Sequence, residues 1–177
     1  MLVEGRKKVV LILGACLLNA SALCGSPFMG PGDSFGFELG NGKSYFTNRT
    51  GSYRIVVNQG WDVSAMGAFT EILAPLLENT LRSRLQINVA KAPEISSWED
   101  LVRRFTYKNG WELGHIGGLP SIQKQAQVKE DRCMFDARIL KSPGQVTMIQ
   151  VDGGPDCSAG SDFERVKSSL ETFTIMQ

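Results

Sequence analysis

The sequence predicts an α+β domain, an antiparallel β-sheet flanked by two or more helices. Three observations predict it. Stretches with the two-residue alternation of half-buried strands follow one another closely. A capped amphipathic helix interrupts them at Ser96 to Phe105. The chain closes as strand, turn, strand, helix over Arg132 to Phe173. Strands joined by short turns pair antiparallel, and a sheet with one apolar face needs a layer to cover it.

The chain has 177 residues, 42% apolar and 21% charged, one ordinary globular domain's worth. Its N-terminus has the form of an export signal. Arg6, Lys7 and Lys8 precede an apolar run, Val9 to Leu18, that is too short to span a bilayer. Two cleavage readings compete. Leu13-Gly14-Ala15-Cys16 resembles a bacterial lipobox, with Cys16 lipidated and left as the new N-terminus. Ala20-Ser21-Ala22 is an A-x-A site for ordinary signal peptidase, leaving Leu23 first. Residues 1–22 carry a net +2, which leaves −1 for the remainder. A near-neutral body lacks the basic footprint that nucleic acid requires.

Residues 23–50 form a Gly/Ser/Pro-rich lead-in, interrupted by Phe28, Phe35, Phe37, Tyr45 and Phe46. Gly42-Lys43-Ser44 lacks the earlier glycine of a phosphate loop, because Phe37 stands there. Asn48-Arg49-Thr50 is a glycosylation sequon, relevant only in a eukaryotic secretory pathway.

The domain proper is expected over residues 51–177. Tyr53, Ile55 and Val57 alternate as a strand, turned by Asn58-Gln59-Gly60. Phe69 to Leu77 is read as a strand ended by Pro75, which would break a helix. Leu85, Ile87 and Val89 mark another strand. Ser96 and Glu99 have the spacing of a capping box, and Trp98, Leu101, Val102 and Phe105 fall on one helical stripe. Trp111 to Ile116 and Ser121 to Lys129 read as strands split by Gly117-Gly118-Leu119-Pro120. Cys133, Phe135, Ala137 and Ile139 alternate in the next strand, Pro143-Gly144 turns the chain, and Val146 to Val151 returns. A helix from Ser161 carries Phe163, Val166, Leu170 and Phe173 on one stripe.

Folding about Pro143-Gly144 places Cys133 opposite the Asp152 to Pro155 region, close to Cys157. These two cysteines are therefore a disulfide candidate in an oxidising compartment. Cys24 is left as an odd cysteine. His115 is the only histidine, which removes every site needing two. It alternates in phase with Trp111 and Leu113 and reads as a partly buried strand residue; a Ser–His or Cys–His pair would have to use it. The carboxylates of Glu99-Asp100, Glu130-Asp131 and Asp152/Asp156 read as a helix first turn, a solvated turn and a turn without calcium-loop spacing. No catalytic, metal or cofactor-binding residue is expected.

The order of elements from Tyr53 to Ile175 resembles the PsbP/DcrB-like family. The resemblance lies in the opening strand running into Gly60-Trp61, the Pro-marked second element, Leu85 to Val89, the capped helix, and the closing Asp162-Phe163-Glu164-Arg165-Val166 through Ile175. That family includes exported bacterial lipoproteins, a lumenal photosystem subunit and a nuclear Ran-binding relative. The resemblance implies a non-catalytic accessory domain that works through protein contacts. The expected protein is therefore periplasmic, or anchored to the bacterial membrane through a lipid on Cys16, with an envelope protein as partner. The alternative is a small secreted ligand-binding protein or hydrolase with a cleft near Trp111 and His115.

Overall fold

Period-two alternation becomes strand almost everywhere it occurs, and also in places where composition concealed it. The computed structural model describes residues 29–75, 82–106, 110–129 and 132–177. Eleven strands run in chain order as β1 (Ser34–Glu38), β2 (Lys43–Asn48), β3 (Tyr53–Asn58), β4 (Asp62–Met66), β5 (Phe69–Leu73), β6 (Arg84–Lys91), β7 (Trp111–Ile116), β8 (Leu119–Lys129), β9 (Arg132–Ser142), β10 (Gln145–Asp152) and β11 (Thr174–Ile175). Two short helices join them, α1 (Trp98–Thr106) and α2 (Asp162–Ser168), the second followed by a 3-10 turn over Ser169–Thr172.

The strands form two antiparallel sheets. A four-stranded sheet has the order β1-β2-β3-β11, and a seven-stranded sheet the order β4-β5-β6-β10-β9-β8-β7. This corrects the expected fold class. The chain is mostly antiparallel β in two sheets and is not a helix-flanked α+β domain. The residues between Ser34 and Asn48, expected as irregular lead-in, supply the extra layer. In β2, Ser44, Phe46 and Asn48 are buried while Tyr45 and Thr47 are half-buried. Glycines at the turns masked this alternation.

One face of the large sheet carries Val63, Ala65, Ile72, Leu85, Ile87, Phe135, Ala137, Ile139, Ile149 and Val151. It packs against Phe46, Tyr53, Ile55 and Val57 of the small sheet and against Phe163, Val166, Leu170 and Phe173 of the C-terminal helical segment. Among the described residues the opposite face is covered only in part, by α1. Leu101 packs there with Ile95, Ile122 and Val146, flanked by Trp98, Val102, Phe105 and Trp111.

Both helices begin on serine caps. The Ser161 hydroxyl accepts from the Glu164 amide at 3.2 Å. At α1 the box sits one residue later than expected. Ser97 caps, accepting from the Asp100 amide at 3.1 Å, and the Asp100 carboxylate accepts from the amides of Ser96 and Ser97, both at 3.2 Å. The Ser96 hydroxyl, which donates to the same carboxylate at 2.9 Å, does most to hold the Asp100 carboxyl below the usual carboxylate range, with the Ser97 side chain and the amides adding to it.

A buried polar group joins the two sheets. Asn48 Nδ2 donates to the Gly67 carbonyl at 2.9 Å and to Thr70 Oγ1 at 3.0 Å, and its Oδ1 accepts from the Gly51 amide. The Tyr53 hydroxyl donates to the same Thr70 oxygen at 2.6 Å. Burial pushes the Tyr53 pKa up, so the phenol stays a neutral donor. Asn48 is fully buried, so in the folded chain the sequon nitrogen is committed to the core.

Candidate functional site

Cys133 lies on the core face of β9, next to the end of β10. Its amide donates to the Gly154 carbonyl, and the Gly153 amide donates to its carbonyl, both at 3.1 Å. These bonds carry the hairpin ladder past Asp152 and bring Cys157 to it. Cys133 and Cys157 form a disulfide with a Cα–Cα distance of 5.7 Å. The expected pairing is present, held by the register that suggested it.

Asp152 anchors the same corner. Its carboxylate accepts from Arg84 Nε at 3.0 Å and Arg84 Nη2 at 2.7 Å, and faces Arg132 Nη2 at 3.3 Å. The hydrogen bond that Arg84 donates to Asp152 pushes the Arg84 pKa further up. Asp156 accepts from Ser158 and closes a local turn. Asp100 thus belongs to the cap of α1 and Asp152 to the Arg84 pair, while Glu130-Asp131 and the proposed lipid cysteine, Cys16, lie outside the described residues. Among the described residues no three His, Cys, Asp or Glu side chains are grouped to hold a metal, and no helix is long and apolar enough to cross a membrane.

The structure separates Trp111 from His115. Trp111 belongs to the α1 contact, its ring 5.1 Å from that of Phe105. The Arg138 guanidinium lies 5.2 Å from the Trp111 ring centroid and 5.8 Å from that of Phe105. Burial there lowers the Arg138 pKa from its ordinary value, while neighbouring Asp136 opposes the shift.

His115 is exposed, not partly buried as its phase suggested. It stands opposite Pro120, near the tip of the β7–β8 hairpin. That tip needs glycine. Gly117 has φ +56°, and a Cβ there would lie 1.7 Å from the Phe173 carbonyl oxygen. Behind it, His115, Gln123, Phe135, Glu164, Lys167 and Glu171 line a cleft of ≈ 380 Å³ against α2. Its charges are partly spent. Lys167 pairs with Glu164 at 2.9 Å and stands over the Phe135 ring. Among the described residues no hydroxyl or thiol hydrogen bonds the His115 imidazole.

The open part of the large sheet holds residues that single-strand patterns did not bring together. Register aligns Glu71 with Gln86, Gln86 with Gln150, Gln150 with Asp136, Asp136 with Lys124, and Lys124 with Trp111. The adjacent row runs Phe69, Asn88, Met148, Arg138. The only sequence trace was the outward half of each alternation. Strand order, which no local pattern carries, made those halves into rows.

The fold and these surfaces define a two-sheet antiparallel β protein with one partly open polar sheet face. A solved structure from Bacteroides thetaiotaomicron is similar to it, with a TM-score of 0.54 and 11% sequence identity over 75% of this chain. The chain spans about half of that protein, 48% of its length, and the likeness is one of fold alone. No family model matches the sequence, and no curated protein matches it.

Proposed function

We infer that this is an exported, non-catalytic accessory protein of a bacterial envelope that binds a partner protein by strand addition at β7. The observation that carries this reading is the edge itself. β7 ends the seven-stranded sheet and has no strand beyond it among the described residues. Soluble proteins blunt such edges with proline, lysine or a covering segment, because unpaired backbone groups invite another strand. β7 contains neither Pro nor Lys, and its Leu113 is 63% exposed. An extended segment pairing with β7 would gain main-chain hydrogen bonds and cover that side chain. At the far edge, β4, the side chain of Asp62 pairs with Arg82.

The accessory role is the part of the PsbP/DcrB-like resemblance retained here. The disulfide suits an oxidising compartment. A hydrolase at His115 is the weaker reading, because it lacks a nucleophile on the imidazole.

A photo-crosslinking residue at position 113 should capture one envelope protein in living cells, while the same residue at position 159 should not. With the crosslinking residue moved to the exposed position 115, Leu113→Lys should abolish capture without lowering the melting temperature. Equal capture at both positions, or none at 113, would remove the edge from the reading.

Export has its own check in the intact mass of the mature protein. Lipidation predicts a chain starting at Cys16 with added acyl mass. Ordinary processing predicts an unmodified chain starting at Leu23. A mature protein still beginning at Met1 would contradict export.

A further inference from the structure

We propose that the open face of the seven-stranded sheet is a binding site for a neutral, polyhydroxylated ligand, an oligosaccharide, seated across the row Gln86, Gln150, Asp136 and its neighbours Asn88 and Arg138. The site is independent of the β7 edge. It rests on a concentration of polar side chains on that face. Gln86, Asn88, Asp136, Arg138 and Gln150 stand side by side on neighbouring strands and are all half-buried. They line, with Phe69 and Met148, a hollow of ≈ 210 Å³.

Most of these groups are unspent. Gln86 donates to Glu71 at 3.0 Å, and Arg138 donates to the Ala137 carbonyl at 2.7 Å. Among the described residues the side chains of Asn88, Asp136 and Gln150 make no hydrogen bond. Their donors and acceptors are left to water in the free protein, with Asp136 facing the charge of Arg138, and are open to an occupant that supplies both donors and acceptors.

The chemistry of that occupant follows from what faces it. Two amides give paired donors and acceptors, a carboxylate accepts, and a guanidinium donates in a fixed plane. Arg138 is already oriented by the rings of Phe105 and Trp111, so little freedom is lost when it binds. The charges balance, with Glu71 and Asp136 against Lys124 and Arg138, so the site selects no net charge. Phe69 and Met148 offer apolar surface between the polar groups, which suits the C–H faces of a sugar ring. The row from Glu71 to Lys124 crosses five strands, roughly 19 Å at ~4.8 Å per strand, longer than one sugar. Hydroxyls can replace the waters of the free protein bond for bond.

The test uses the mature protein and three probes, cellohexaose, maltohexaose and chitohexaose, each at millimolar concentration. The side-chain amide NMR signals of Gln86, Asn88 and Gln150 should shift saturably with at least one probe. The Asn88→Ala/Gln150→Ala double variant should bind that probe about tenfold more weakly, the factor that corresponds to about 1.4 kcal/mol. Both substitutions truncate half-buried side chains without partners, and an unchanged amide spectrum elsewhere verifies the fold. Should the double variant not fold, Arg138→Lys, which keeps the charge and loses the plane, should weaken the same probe. If no probe moves these three amides, or if the affinity is unaltered in the folded variant, the proposal is overturned.

Discussion

Asn48→Leu should lower the unfolding free energy by about 3 kcal/mol. Leucine roughly matches the volume, so little of this comes from packing. The cost is chiefly the orphaning of the buried Gly51 amide, with the loss of the bonds to Thr70 and to the carbonyl of Gly67, an exposed residue, added to it. A buried donor or acceptor left without a partner costs ~1–3 kcal/mol. Thr70 retains the Tyr53 hydroxyl and suffers less. Tyr53→Phe removes only one bond to Thr70, which keeps Asn48, and should cost about 1 kcal/mol. Because both side chains meet on one oxygen, the double variant should be non-additive. Urea unfolding reads all three as shifts of the midpoint at constant slope. If Asn48→Leu costs no more than Tyr53→Phe, the inter-sheet group does not hold the layers together.

Removing the Cys133–Cys157 disulfide should cost a similar amount. The bridge closes a separation of 24 residues. Loop-closure entropy in the unfolded chain then gives about 3 kcal/mol, if the native geometry is unstrained. For a chain of this length that is roughly 10 °C of melting temperature. The Cys133→Ala/Cys157→Ala variant and the reduced wild-type protein should fall together in calorimetry. Cys133 is fully buried, so alanine at that position also removes a little core packing. A drop of less than roughly 2 °C would mean that Asp152, Arg84 and the hairpin ladder hold this corner without the bridge.

The disulfide was legible because a hairpin is a local object. Turn residues at Pro143-Gly144 set the register, and counting along two strands then places Cys133 near Cys157. The helix at Ser161 was legible for the same reason, since cap and stripe lie within a few residues of each other. The α1 cap slipped by one residue because two serines and two acids stand in succession. The structure selects Ser97 with Asp100, whose short carboxylate reaches the amides of Ser96 and Ser97. His115 shows the limit of phase. It shares a face with Trp111, but α1 covers Trp111 and ends before His115, so one face carries both a half-buried and an exposed residue.

By itself the sequence determined β3 and β5 to β10, both helices and the covalent bridge, since periodicity, caps and turns act over neighbouring residues; it showed neither β4, a short strand behind the Gly60 turn, nor the two-residue β11. It also determined that the sheet needed a cover. Only the tertiary structure decided what that cover is. The chain between Ser34 and Asn48 pairs into a second sheet because Phe46 enters the shared core and Asn48 finds partners on β5 and its turn, and β11 joins because the C-terminus returns to β3. The polar rows across the open face were decided in the same way. They exist only once β6, β10, β9 and β8 stand side by side, and that order is set by the burial of the opposite face.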